Sequence, residues 1–227
     1  MKLNWKSIRT YDYAGAVEKI IFSAIGLLLA LMINNWNDER KEIQTEHKLL
    51  REMRAALLQD LKDIDETINS FNDDIGAKSE SVRMLREQVK DPEALVANLR
   101  SANSYSFLLS NTSPYETLKV HGLDLIDDDS LRLNIALLYD YDYEFIARLE
   151  EKNNNFYMHH FVPCWLRHIQ RFEQRNIAVN DWNALYNDVV FREALAQMLR
   201  EDIFIQSRYK EARVRIQWIL SRLDAYL

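Results

Sequence analysis

Cysteine, glycine and proline are nearly missing from this chain of 227 residues, with one, four and three of them respectively. The single cysteine, Cys164, excludes an intrachain disulfide and a four-cysteine zinc site. So few glycines and prolines exclude a many-turned β-sandwich and a disordered linker protein. Glycine-rich phosphate loops and the His-Glu-x-x-His motif are absent as well. Positive charge is not in excess: 29 Lys+Arg against 35 Asp+Glu leave a net charge of -6, so no nucleic-acid partner is expected. What is present is apolar material, 48% of the chain, enough for a core. The length bounds the answer to one domain with an appendage, or two small domains.

The strongest local signal lies near the N-terminus. From Ile20 to Ile33 every residue is apolar or small except Ser23, and no charge occurs between Ile20 and Asn37. Taken back to Tyr13, the stretch reaches roughly 31 Å at the helical rise, enough to cross a bilayer. Tyr11 and Tyr13 before it and Trp36 after it are interfacial aromatics. No small-residue cleavage site follows, so the segment is expected to stay as an anchor. Lys2, Lys6 and Arg9 precede the span; Arg40, Lys41, Lys48, Arg51 and Arg54 follow it, interleaved with Asp38, Glu39, Glu42, Glu46 and Glu52. A basic tail before an uncleaved apolar segment favours a cytoplasmic N-terminus and a periplasmic body, in a bacterial inner membrane. Glu18 and Lys19 fall in the first turns, where Lys19 can snorkel to the interface; the sharper reading pairs Glu18 with a basic residue of another chain. Ser23, Gly26 and Ala30 form a small-residue strip for close helix packing.

After Trp36 the pattern turns heptad-like. Leu57, Leu61, Ile64, Ile68, Phe71, Ile75, Lys78, Val82, Leu85 and Val89 are spaced alternately four and three, with Lys78 the one failure. A bend is expected near Gly76. A second seam runs through Phe191, Leu195, Met198, Asp202, Ile205, Tyr209, Ala212, Ile216, Ile219, Leu223 and Tyr226, with Asp202 its one charged exception. Two matching seams fit antiparallel pairing within one chain, or parallel pairing between chains. Between them, Ser113-Pro114-Tyr115-Glu116 reads as a capping box stopped by Gly122. Another helix starts near Asp129; Pro163 is expected to kink or end it, and the polar run Asn153-Asn154-Asn155 is a second place for it to break. Asn180-Asp181-Trp182 marks the start of the last helical region.

The fold expected is therefore all-α, an N-terminal transmembrane helix continuing into an elongated bundle with two long heptad-patterned helices. Its parts are a basic tail (1–12), a span (13–36) and a helical extramembrane domain (37–227). That domain divides into a long helix at about 38–90, shorter helices at about 93–175 and a long helix at about 183–226.

Two passages carry a resemblance. The run from Ile25 through Ile33-Asn34-Asn35-Trp36-Asn37 to Arg40-Lys41 resembles the N-terminal signature of a family of uncharacterised bacterial single-span proteins, a domain of unknown function. Tyr115-Glu116-Thr117-Leu118-Lys119, Gly122-Leu123-Asp124-Leu125-Ile126 and Leu131-Arg132 are similar to that family's central motif. The resemblance implies a membrane-anchored helical protein and supplies no activity.

Candidate chemistry is sparse. His160, Cys164 and His168 are spaced four apart, and adjacent pairs at that spacing can chelate zinc on a helix face. Three of them span roughly 12 Å, too far for one ion unaided. The alternative is structural, with these side chains packed among Phe156, Phe161 and Trp165. Asp124, Asp127, Asp128 and Asp129 lack calcium-loop spacing and fit helix capping. In Tyr139-Asp140-Tyr141-Asp142-Tyr143-Glu144, packed rings with solvated hydroxyls are expected. No oxyanion hole accompanies Cys164, so no enzyme and no cofactor are expected. The expected partners are the lipid bilayer and a protein partner or second copy, met through the span and the seams. The leading expectation is a membrane-anchored scaffold, adaptor or signal-relay protein; the alternative is a membrane-anchored metal-binding or redox protein at His160, Cys164 and His168.

Overall fold

A computed structural model describes residues 13–102, 107–108, 110–171 and 177–227, with side chains from Lys19 onward except that of Arg171. The chain is all-α apart from one small hairpin, and it divides into two units, Met1–Lys48 and Leu49–Leu227. Helix α1 covers Tyr13–Glu87 and so has a part in each.

In the first unit α1 contains one stretch apolar enough to cross a membrane, with a mean hydropathy of 1.6 and none of it buried. Its polar end is stapled along the helix. Asn34 Nδ2 donates to Asp38 Oδ2 at 3.0 Å and Lys41 pairs with Asp38 at 3.3 Å, the contacts that residues three and four apart can make.

The second unit is a bundle. Helix α1 is uninterrupted through Gly76, where a bend was expected. It ends at Gln88, whose φ of 53° is left-handed, while Val89 N donates back to Met84 O at 3.0 Å. That is a Schellman closure made without glycine. There follow α2 (Pro92–Ala102), α3 (Ser113–His121), a short 3-10 turn (Leu123–Leu125) and α4 (Asp129–Leu137). A π turn at Leu138–Tyr143 leads into α5 (Glu144–Phe156), and another at Tyr157–Phe161 leads into α6 (Val162–His168). A hairpin of β1 (Ile169–Arg171) and β2 (Ile177–Val179) pairs Ile169 with Val179, and α7 (Trp182–Asn187) and α8 (Val189–Tyr226) complete the chain.

Three local expectations are corrected. Pro163 does not end its helix. It sits in the first turn of α6, directly after the π turn, where a residue without an N–H is tolerated. The Asn153 run does not break α5, because Asn153 is buried and bonded. Ser113 makes no capping box: the N-cap of α3 is Thr112, whose helical dihedrals leave no side-chain cap bond. The side-chain caps fall to aspartates. Asp91 accepts from Ala94 N, Asp128 from Ser130 N and Leu131 N, Asp181 from Ala184 N and Asp188 from Phe191 N.

The two seams meet within one chain. Their ion pairs form an antiparallel ladder: Arg54 with Asp224 at 2.6 Å, Asp65 with Arg213 at 2.6 Å, Lys78 with Asp202, and Arg86 with Glu193 at 3.8 Å. Seam residues of both helices are buried in two apolar clusters. One joins α1 from Leu49 to Phe71 with α3, α4, α5 and α8 from Ile205 to Leu223. The other joins α1 from Ala77 to Leu85 with α2, α6, α7 and α8 from Phe191 to Met198.

Candidate functional site

Between the two apolar clusters lies a buried polar layer. Asp74, Lys78 and Ser81 come from α1, Glu150 and Asn153 from α5, and Asp202 and Gln206 from α8. Lys78 is 1% exposed and bonds Asp202, itself 3% exposed; Asn153 Nδ2 donates to the other carboxylate oxygen at 3.2 Å. The two charged residues that break the seams are thus each other's partners. Burial raises the Asp202 pKa, and Lys78 pulls against that rise without reversing it. Gln206 Nε2 donates to Ile68 O at 3.3 Å and to Asn72 Oδ1 at 2.8 Å, tying α8 to α1 one turn further on.

Two carboxylates, Asp60 and the layer's Glu150, are buried beside tyrosines. Asp60 accepts from Tyr143 OH at 2.8 Å and from Asn111 N at 3.1 Å. Glu150 accepts from Leu108 N at 3.1 Å and from Tyr209 OH. Each carboxylate thereby links a backbone amide between α2 and α3 to a tyrosine of the bundle. Burial pushes both pKa values up, although the bonds from those donors act to lower them. The expectation of solvated tyrosine hydroxyls is corrected here. Tyr139 and Tyr143, four apart and so on one helix face, both point inward within the π turn at Leu138–Tyr143, and Tyr139 stacks on Tyr115 at 4.5 Å. Tyr141 alone of the three stays exposed.

These burials fix a sign for pH. The folded chain holds the Asp60 and Glu150 protons more tightly than the unfolded chain, so their contribution to stability falls as pH rises through the folded pKa values. Asp188 runs the other way: burial raises its pKa, but His168 and the Phe191 amide hold it below the usual carboxylate range, so its contribution is lost as pH falls. Urea unfolding of the wild type and of Asp60→Asn between pH 4.5 and 8 separates the two. The variant should lose part of the decline towards alkaline pH; parallel curves would remove Asp60 from the account.

The proposed metal residues are not gathered around one point. His160 is exposed and stacks on Phe156 at 5.2 Å, and neighbouring His159 bonds Asn155 O. Cys164 is buried and accepts from Arg167 Nη2 at 3.1 Å. His168 is buried, packs edge-on to Phe191 and bonds Asp188 Oδ2 through Nε2 at 2.6 Å. Among the described residues no group of three His, Cys, Asp or Glu side chains could hold a metal ion. The acidic cluster serves as capping: Asp128 caps α4 and pairs with Arg222 at 2.5 Å, and Asp129 pairs with Arg132.

Within the apolar stretch Lys19, Ser23, Gly26, Ala30 and Trp36 are all exposed, and a Cβ at Gly26 would meet nothing within 4 Å. The basic tail with Tyr11, and the side chains of Tyr13 and Glu18, lie outside the described residues.

Sequence reasoning missed Asp60, Glu150 and Tyr209 as buried polar partners. Asp60 and Glu150 sit among ordinary surface-type charges in the sequence and carry no spacing signal. Lys78 and Asp202 did carry one, since each is the single charged residue in an otherwise apolar seam.

No curated protein and no solved structure matches the chain. A family model does, over residues 19–158, from within the apolar stretch of α1 to the start of the π turn at Tyr157–Phe161. The chain belongs to that family, DUF6090, a family of unknown function.

Proposed function

We propose that this chain is a membrane-anchored, non-catalytic helical protein that scaffolds or relays a signal through helix–helix contacts. The observation that carries this reading is the stretch from Ile20 to Ile33, apolar and exposed on every face. A soluble helix buries one side; a helix apolar all round needs lipid or protein around it. The body supports the non-catalytic part. Its buried charged groups bond each other and the backbone: Lys78 and the Asn153 amide with Asp202, and Asp60 with the Asn111 amide. The anchor is placed in a bacterial inner membrane with the N-terminus cytoplasmic and the body periplasmic, on the basic tail that precedes an uncleaved apolar segment.

Fractionation tests the anchor. The full-length protein should stay with membranes through alkaline carbonate extraction. Leu27→Asp with Leu31→Asp should release it, because each aspartate at the centre of a span costs about 3 kcal/mol. Release of the wild-type protein would sink the anchor. Protease protection of the body in intact cells, lost on breaking the outer membrane, tests the orientation.

A further inference from the structure

The seams that the sequence offered for pairing between chains are filled within one chain, so a partner must use other surface. Helix α8 has such a surface opposite its buried seam. Ile203, Ser207, Lys210, Glu211, Val214 and Trp218 recur at helical spacing on its outer side, and Ile203, Val214 and Trp218 are 50%, 64% and 36% exposed. Val214 and Trp218 line an open groove of about 790 Å³ between α4 and α8.

We propose that a second copy of this chain docks on this face, with the two α8 helices antiparallel about a two-fold axis passing between Lys210 and Glu211. The stripe is self-complementary only in that arrangement. Ile203 lies opposite Trp218 of the partner subunit, Ser207 opposite the partner's Val214, and Lys210 opposite the partner's Glu211, each contact occurring twice as an isologous interface requires. A parallel arrangement sets Lys210 against the partner's Lys210 and Glu211 against the partner's Glu211. Both charges stay on the exposed face, within reach of a partner. Lys210 Nζ donates to the neutral Gln206 amide at 2.8 Å, and Glu211, although paired with Arg208 at 2.7 Å, keeps its side chain 59% exposed. Exposed pairs add little affinity, but like charges face to face repel, so these two residues set register and direction. The interface names the partner within the helix-contact reading above and rests on it.

The test uses the full-length chain in mild detergent, in a Cys164→Ser background. Ile203→Cys and Trp218→Cys chains carrying different tags should form an intermolecular disulfide when mixed, and neither should form one alone. In sedimentation velocity, Lys210→Glu or Glu211→Lys should each weaken association about tenfold or more, and the double reversal should restore it. A monomer at all concentrations, a disulfide in either cysteine variant alone, or no rescue by the double reversal overturns the interface. Association that ignores charge reversal overturns it too, and would place self-contact in the apolar span; the helix-contact reading then survives. Loss of the anchor in the fractionation test is a separate result and leaves the cysteine pattern readable.

Discussion

Lys78→Met alone should destabilise the body by about 3–5 kcal/mol, because it leaves the Asp202 carboxylate buried without its cation. Replacing the ion pair together with Asn153 should behave differently. In Lys78→Met/Asp202→Leu the Asn153 amide loses its acceptor, and an unsatisfied buried amide costs about 1–3 kcal/mol. Adding Asn153→Leu removes that orphan, so the triple variant should lie within about 1 kcal/mol of wild type or above it. Urea unfolding of the single, double and triple variants gives the ordering. A single variant that loses less than the triple would mean the ion pair is not desolvated as the structure has it.

The layer has a second consequence, which is register. Both seams repeat every heptad, so sliding α8 by seven residues along α1 exchanges one apolar contact for another almost everywhere. It does not do so at Lys78. One slip sets Lys78 against Tyr209 and Asp202 against Leu85; the other sets Lys78 against Leu195 and Asp202 against Phe71. Each slipped state buries two unpaired charges, which costs several kcal/mol per ion. The triple variant should therefore keep its helicity and lose uniqueness, seen as broadened amide resonances and binding of an apolar dye.

The seams were legible because heptad spacing is a period that chain chemistry writes directly, and every α8 seam residue from Phe191 to Leu223 is buried. The two exceptions were visible as exceptions, but their pairing came only with the structure, where each meets the other across the seams. The π turns were not legible. Nothing in Leu138–Tyr143 distinguishes a widened turn from an ordinary helix by period, and the alternation of ring and acid hid that Tyr139 and Tyr143, four apart, share a buried face. Pro163 misled because its rule concerns a regular helix, and the backbone before it had already departed from one. The spacing of His160, Cys164 and His168 placed them at i, i+4 steps but said nothing of Asp188, which comes from a different element and takes His168. The hairpin of β1 and β2 is too short for a strand period to register.

Ile64→Asp should abolish the folded body. Ile64 is 0% exposed at the centre of the larger apolar cluster. Losing its burial removes about 1.5–3 kcal/mol, and an unpaired buried carboxylate adds several more, against a total stability of about 5–15 kcal/mol for a domain. Leu58→Asp serves as the control, because Leu58 on the same helix is 44% exposed and its replacement should change stability by about 0.5 kcal/mol or less. Leu61 and Ile75 belong to the same seam but are only partly buried, so aspartate there should fall between these limits. Circular dichroism with thermal melting reads all four variants. In Lys210→Glu, which weakens the α8 contact between copies, the midpoint should not move with protein concentration, since Ile64 packs in a core closed within one chain and Arg54–Asp224 and Asp65–Arg213 close it on either side. A midpoint of Lys210→Glu that climbs with concentration would assign the seams to pairing between chains, and a cooperative melt retained by Ile64→Asp would take Ile64 out of the core.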